Sequence, residues 1–263
     1  MTPNKGLALA ELFDFLIQEA VAHFAGWDFS YLDWRKVDAP LSWSYVSEVL
    51  PRVRKAASLL DIGTGGGEML ARFAPFPPET YATESYPPNI LIARERLEPL
   101  GVKVVEMGNE DKRTPFENDF FDLILNRHSY YWPPELYRIM QPGGIFITQH
   151  VGDRNDVDIR ALLGAPDDSV DGAWNLTKAI GDLRRAGFRI IEQKEDIYPS
   201  RFYDVGAIVY QLKAVPWQIP DFSVEKYFER LKEVHEMIQR EGYMEVLEHR
   251  FFIVAEKVGD GSR

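Results

Sequence analysis

Apolar positions along this chain follow two rhythms, and the places where one gives way to the other predict its elements. Leu9, Leu12, Phe13, Leu16, Ile17, Ala20, Val21 and Phe24 recur at helical spacing and predict an amphipathic first helix that needs a partner surface. Residues 58–62 are a short apolar run bounded by turn residues, as a strand buried on both faces should be. Further strands are expected at 80–83, at 102–107, in the run ending at Leu125, and at 145–150. Helices are expected between them at 47–53, 68–73, 88–97 and 134–140. Residues 174–186 are helical and closed by Gly187, and 188–197 alternate as a sixth strand. The strand that should return beside it appears only at 243–257. Between the two lie a helix at 204–215 and a second one, capped by Ser223, apolar along Val224, Tyr227, Phe228, Leu231, Val234 and Ile238, with Gly242 past its end.

The organising stretch is Leu59 to Leu70, where the strand breaks into Gly63, Gly65, Gly66 and Gly67 before helical spacing resumes. Such a turn lets a ligand approach where a Cβ would collide, next to free N–H groups at a helix start. The spacing fails as a dinucleotide fingerprint, because Glu68 stands where the third glycine belongs. Two carboxylates, Asp61 and Glu68, suit a ligand that carries positive charge. Glu84 follows Gly63 by 21 residues, the interval that sets an acid at the tip of the next strand, where it can accept from a ribose diol. Ser85 and Tyr86 come next, and the Tyr86 ring is placed to lie against a purine.

Charge and composition narrow the partners. With 30 basic and 41 acidic residues the chain carries −11, which disfavours broad contact with a nucleic-acid backbone. It has no cysteine, so disulfides, thiolate metal sites and a Cys nucleophile are excluded; no metal is expected, and a cytoplasmic setting fits. No apolar run is long enough for a membrane span.

The Asp61, Gly63, Gly65 and Gly67 series, the acidic turn before the fourth strand and the Pro142, Gly143, Gly144 turn resemble class I S-adenosylmethionine-dependent methyltransferases of the type 11 group. The resemblance implies an α/β fold, a doubly wound Rossmann-like sheet of seven strands, mostly parallel with an antiparallel seventh strand, plus a helical cap. It implies S-adenosyl-L-methionine as cofactor, with Asp61 and the glycine turn at the methionine moiety and Glu84 at the ribose. Asn109 and Glu110 would face the adenine, and the backbone around Asn126 the amino-acid end. Residues 1–50 would form the N-terminal arm, 51–200 and 243–258 the core, and 203–242 an inserted lid.

The acceptor is expected to be a small molecule. A nucleic-acid methyltransferase would need an Asn- or Asp-Pro-Pro-aromatic motif after the fourth strand, which this chain lacks. A non-catalytic regulatory domain that binds the same cofactor stays open. His128, two residues past Asn126, is the candidate general base. Trp27, Tyr31, Tyr130, Gln149, His150, Tyr203 and Trp217 are candidate pocket walls, and the aromatics of the arm would serve equally well as staples to the core.

Overall fold

A computed structural model describes residues 9–108, 112–166 and 174–259. In chain order the elements are α1 (Leu9–Ala20), β1 (Lys36–Asp38), α2 (Tyr45–Val53), β2 (Ser58–Ile62), α3 (Glu68–Ala71), β3 (Glu79–Glu84), α4 (Pro87–Leu97), β4 (Lys103–Glu106) and β5 (Phe121–Arg127). They continue with α5 (Pro133–Ile139), β6 (Met140–Val151), α6 (Val157–Leu163), α7 (Leu176–Arg185), β7 (Phe188–Phe202), α8 (Val205–Ala214), α9 (Val224–Glu241) and β8 (Met244–Lys257).

The strands make one sheet in the order β1-β7-β8-β6-β5-β2-β3-β4. The five strands from β6 to β4 are mutually parallel, and β8 pairs antiparallel with both β6 and β7. The expected seven strands are therefore present in a doubly wound sheet, but an eighth is added. β1 pairs antiparallel with Phe202, Arg201 and Ser200 at the sheet edge. The cause lies elsewhere in the chain: β7 continues five residues past the expected end at 197, because β8 pairs with it as far as Met244. The exposed ladder then accepts three residues of the arm, and Ser200 Oγ donates to Asp38 Oδ1 at 2.6 Å. The helix expected at 68–73 also shortens to four residues, since Arg72 and Phe73 bond three rather than four residues back.

Strand alternation sorts the core into two faces. Leu59, Leu123, Leu125, Ile147 and Phe252 meet α2, α3 and α4, while Leu60, Ile124, Phe146, Phe251 and Ile253 meet α5 and α7. A third cluster joins α1, α6, α8 and α9 to the projecting ends of β7 and β8, through Leu16, Val209, Leu231, Phe202 and Met244. The arm read from the sequence as one cap is thus divided. Its first helix packs with the insertion, whereas Trp43, Tyr45 and Val49 are buried against the sheet.

Candidate cofactor and acceptor site

Each of the three spaced glycines has a positive φ: 66° at Gly63, 63° at Gly65 and 80° at Gly67. A Cβ on Gly63 would stand 1.9 Å from Ser129 Oγ, and on Gly65 2.4 Å from Trp27 Cδ1. At Gly67 it would strike Leu97 at 2.7 Å, so all three glycines make room for protein neighbours where the sequence suggested a ligand, and the third lets α3 sit against α4. Glu84 holds the turn in place. Its Oε2 accepts from Gly65 N at 2.6 Å, and its Oε1 from Ser85 N at 2.7 Å and Tyr86 N at 2.8 Å. A carboxylate has about four acceptor positions, so capacity remains on Oε2 for a hydroxyl. Glu68 is not a bare charge, since Arg96 donates to its Oε1. Asp61 is buried, and that burial pushes its carboxyl up to about 7.

The chain then turns at the end of β5. Asn126 is fully buried and spends its side chain on structure: Nδ2 donates to Ile62 O at 3.3 Å and Ser129 O at 3.0 Å, and Oδ1 accepts from Thr148 Oγ1 at 2.9 Å. This ties β2, β6 and the following loop together at the sheet edge. His128 sits at φ 61°, its N–H donating to Gln149 O at 2.9 Å, and its ring opens to the cavity. Its Nε2 is 3.4 Å from Gln149 Nε2, and Gln149 Oε1 accepts from Trp43 Nε1 at 2.9 Å. The residue is exposed along the cavity, and crowding by neighbouring protein atoms with the charges of Arg127 and Arg250 lowers its basicity, so the imidazole is neutral at pH 7. His150 is also held down by burial, to about 4, and stacks on Phe251 at 5.6 Å.

A cavity of about 1620 Å³ runs along this edge, and Asp61, Gly63, Glu84, Ser85 and Tyr86 line one end of it. His128, Gln149 and His150 lie farther along. Trp27 and Trp217 roof it, their rings 5.8 Å apart, so the arm and the insertion meet over the opening. Tyr130 borders a smaller adjoining space with Met107 and Gly108. Two expected wall residues are elsewhere. Tyr31 lies against Tyr210 at 4.5 Å and donates to Glu19 Oε1 at 3.4 Å, while Tyr203 packs on Tyr243 beyond the cavity. Asn109 and Glu110 fall outside the described residues. Arg72, Arg127 and Arg250 also line the cavity and were not anticipated, because a single Arg near the end of a helix or strand carries no sequence signal of its own.

Residues 60–148 match the family described as methyltransferase domain. Among curated proteins, a protein-L-isoaspartate O-methyltransferase of Alcanivorax borkumensis is 32% identical over 146 residues, which cover 54% of this chain and 66% of that protein, just under two thirds of its length. The chain carries a class I S-adenosylmethionine-dependent methyltransferase domain. Solved structures agree in fold. A candidate methyltransferase from Bacillus halodurans superposes with a TM-score of 0.59 at 18% identity, over 82% of this chain and all of that one. A functionally unknown protein from Deinococcus radiodurans gives 0.57 at 14% identity, over 94% of this chain and again all of the other. The methyltransferase domain fits its cofactor, S-adenosyl-L-methionine, on the structure's own terms. Its cavity exceeds the roughly 300–1,000 Å³ usual for a single small ligand. Asp61 lines its wall beside Thr64, and a carboxylate there fits a ligand that carries positive charge.

Proposed function

We propose that this protein methylates a small-molecule acceptor, held at the His128 end of the cavity, from S-adenosylmethionine held at the glycine-turn end. The observation that carries the reading is one continuous cavity lined by both sets of residues, with Trp27 and Trp217 in edge contact on its wall. S-adenosylmethionine supplies an activated methyl group on a positively charged sulfur. The chain's contribution is then to align the nucleophile, exclude water and set the local charge, which alignment alone can make worth about 7–11 kcal/mol in favourable cases. Glu84 and the backbone of the glycine turn hold the ribose side, and Asp61 faces the methionine side. His128, neutral and opening to the cavity, orients the acceptor and can take up a proton at Nε2 in place of the weak hydrogen bond that Gln149 Nε2 donates there. The Alcanivorax relative is named for a protein acceptor. The aromatic roof favours a small molecule here, since an intact polypeptide would have to displace both tryptophans. Among the described residues no helix is long and apolar enough to cross a membrane, and a cytoplasmic setting is part of the same proposal.

The test offers methyl-labelled S-adenosylmethionine together with either a metabolite extract or total RNA from bacterial cells. Label is expected in the small-molecule fraction. Label confined to RNA would overturn the acceptor class, and binding of the cofactor with no label transferred to anything would favour the non-catalytic alternative.

A further inference from the structure

The clearest unmatched charge in the molecule lies on the wall of this cavity. Arg127, the last residue of β5, and Arg72, just past α3, both line it. Among the described residues neither guanidinium makes a hydrogen bond or ion pair, and Arg127 Nε is buried with no partner. Buried charges are ordinarily paired, because removing an ion from water costs far more than an apolar contact returns. The Arg127 guanidinium lies over the Tyr45 ring, with Cζ 6.0 Å from the ring centroid, and the Asp61 carboxyl acts on it through space without a hydrogen bond among the described residues. Burial weakens its hold on its proton, and the neighbouring charges of Arg250 and Arg72 add repulsion. Arg250 is different, since it donates to Glu248 Oε2 at 2.9 Å and is compensated there.

The cofactor cannot supply the missing charge. S-adenosylmethionine carries a sulfonium, an ammonium and a single carboxylate, so it enters as a net cation. Its one carboxylate carries a single negative charge, so it can neutralise at most one of the two guanidinium groups. We propose that Arg127 and Arg72 form an oxyanion subsite, and that the methyl acceptor is a small molecule bearing a carboxylate or a phosphate. Arg127, placed by the end of β5 over the Tyr45 ring, is the anchor, and the exposed Arg72 closes on the ligand from the side. Guanidinium groups bind both oxyanions through paired, charge-assisted hydrogen bonds. Phe24, Trp27 and Trp217 line the same cavity and suit an acceptor whose remaining body is apolar.

The inference rests on the methyl-transfer reading, and the experiment separates the two. Protein saturated with S-adenosylhomocysteine, so that the cofactor's own carboxylate is already seated, is titrated with 4-fluorobenzoate, 4-fluorophenyl phosphate and the neutral 4-fluorobenzamide, followed by fluorine NMR. One of the two anions is expected to bind at least about tenfold more tightly than the amide, and which of them does so identifies the oxyanion. Arg127→Gln should remove that preference while S-adenosylhomocysteine affinity, which also reports a folded site, stays within about threefold. Arg127→Lys should retain part of the preference. Equal binding of all three probes up to about 10 mM overturns the subsite. So does a parallel loss of S-adenosylhomocysteine affinity in Arg127→Gln, which would make Arg127 a ligand of the cofactor's carboxylate. Failure of the wild type to bind S-adenosylhomocysteine would instead sink the methyl-transfer reading itself.

Discussion

Replacing Asp61 by asparagine should make the protein more stable and a poorer binder of its cofactor, both in a way that depends on pH. Asp61 is buried at the end of β2, and burial raises its carboxyl from the ordinary 3.8 to about 7. A raised acid means that the folded state binds the proton more tightly than the unfolded one. Stability therefore falls as pH rises from about 4 to about 7, and the full cost, about 4 kcal/mol at 1.36 kcal/mol per tenfold change, applies above that. Water in the cavity lowers the realised figure to about 2 kcal/mol. The amide has the same shape as the carboxylate and no charge to bury. At pH 8 the variant should melt about 4–8 °C higher than the wild type, and at about pH 4 and below the two should nearly coincide. The same change removes the anion that faces the cofactor's cationic groups, so calorimetry at pH 8 should show S-adenosylmethionine affinity reduced by about ten- to hundredfold. If Asp61→Asn melts no higher than the wild type at pH 8, the burial cost has been misjudged. If it binds S-adenosylmethionine as tightly, Asp61 does not face the cofactor.

Gly67→Ala should cost about 1–3 kcal/mol in urea unfolding, since a Cβ there meets Leu97 at 2.7 Å on a backbone with φ 80°. Gly242→Ala, at φ 89° but with nothing within 4 Å, isolates the backbone part and should cost only about 1 kcal/mol. His128→Ala should leave cofactor affinity within a few-fold and lower turnover by about 10²-fold once an acceptor is in hand. Because the imidazole is held neutral, the His128 ring resonances should show no titration in NMR between pH 6 and 8, and a clear inflection of those resonances would contradict the lowered basicity.

What could be read from the sequence was local. Ser223 caps α9 by accepting from Lys226 N at 3.2 Å, and Gly242 ends that helix in the left-handed region, each a signal carried within a few residues. The glycine turn, the strand alternation and Glu84 were legible for the same reason. The features that escaped depend on distant partners. Lys36 to Asp38 have no strand signature of their own and become one because β7 offers an open edge at Phe202. Tyr31 and Tyr203 look like Trp27 and Trp217 in sequence, and only packing against Tyr210 and Tyr243 takes them out of the cavity. The isolation of Arg127 is a property of what surrounds it, namely the Tyr45 ring from α2 and the like charges of Arg72 and Arg250.

The helical insertion leaves the sheet after Phe202 and rejoins it at Met244, and these two residues are direct partners across the β7–β8 ladder. Paired positions in an antiparallel ladder stand about 5 Å apart. A bare hairpin turn would bridge that gap as readily as the α8–α9 pair does, without rethreading any strand. The helical insertion is in this sense a detachable cassette, plugged into the same edge of the sheet as Glu84 but several strands away from β3. Descent with modification can exchange, lengthen or discard it while the glycine turn and Glu84 stay where they are, so that a change of clientele need not disturb that end of the cavity.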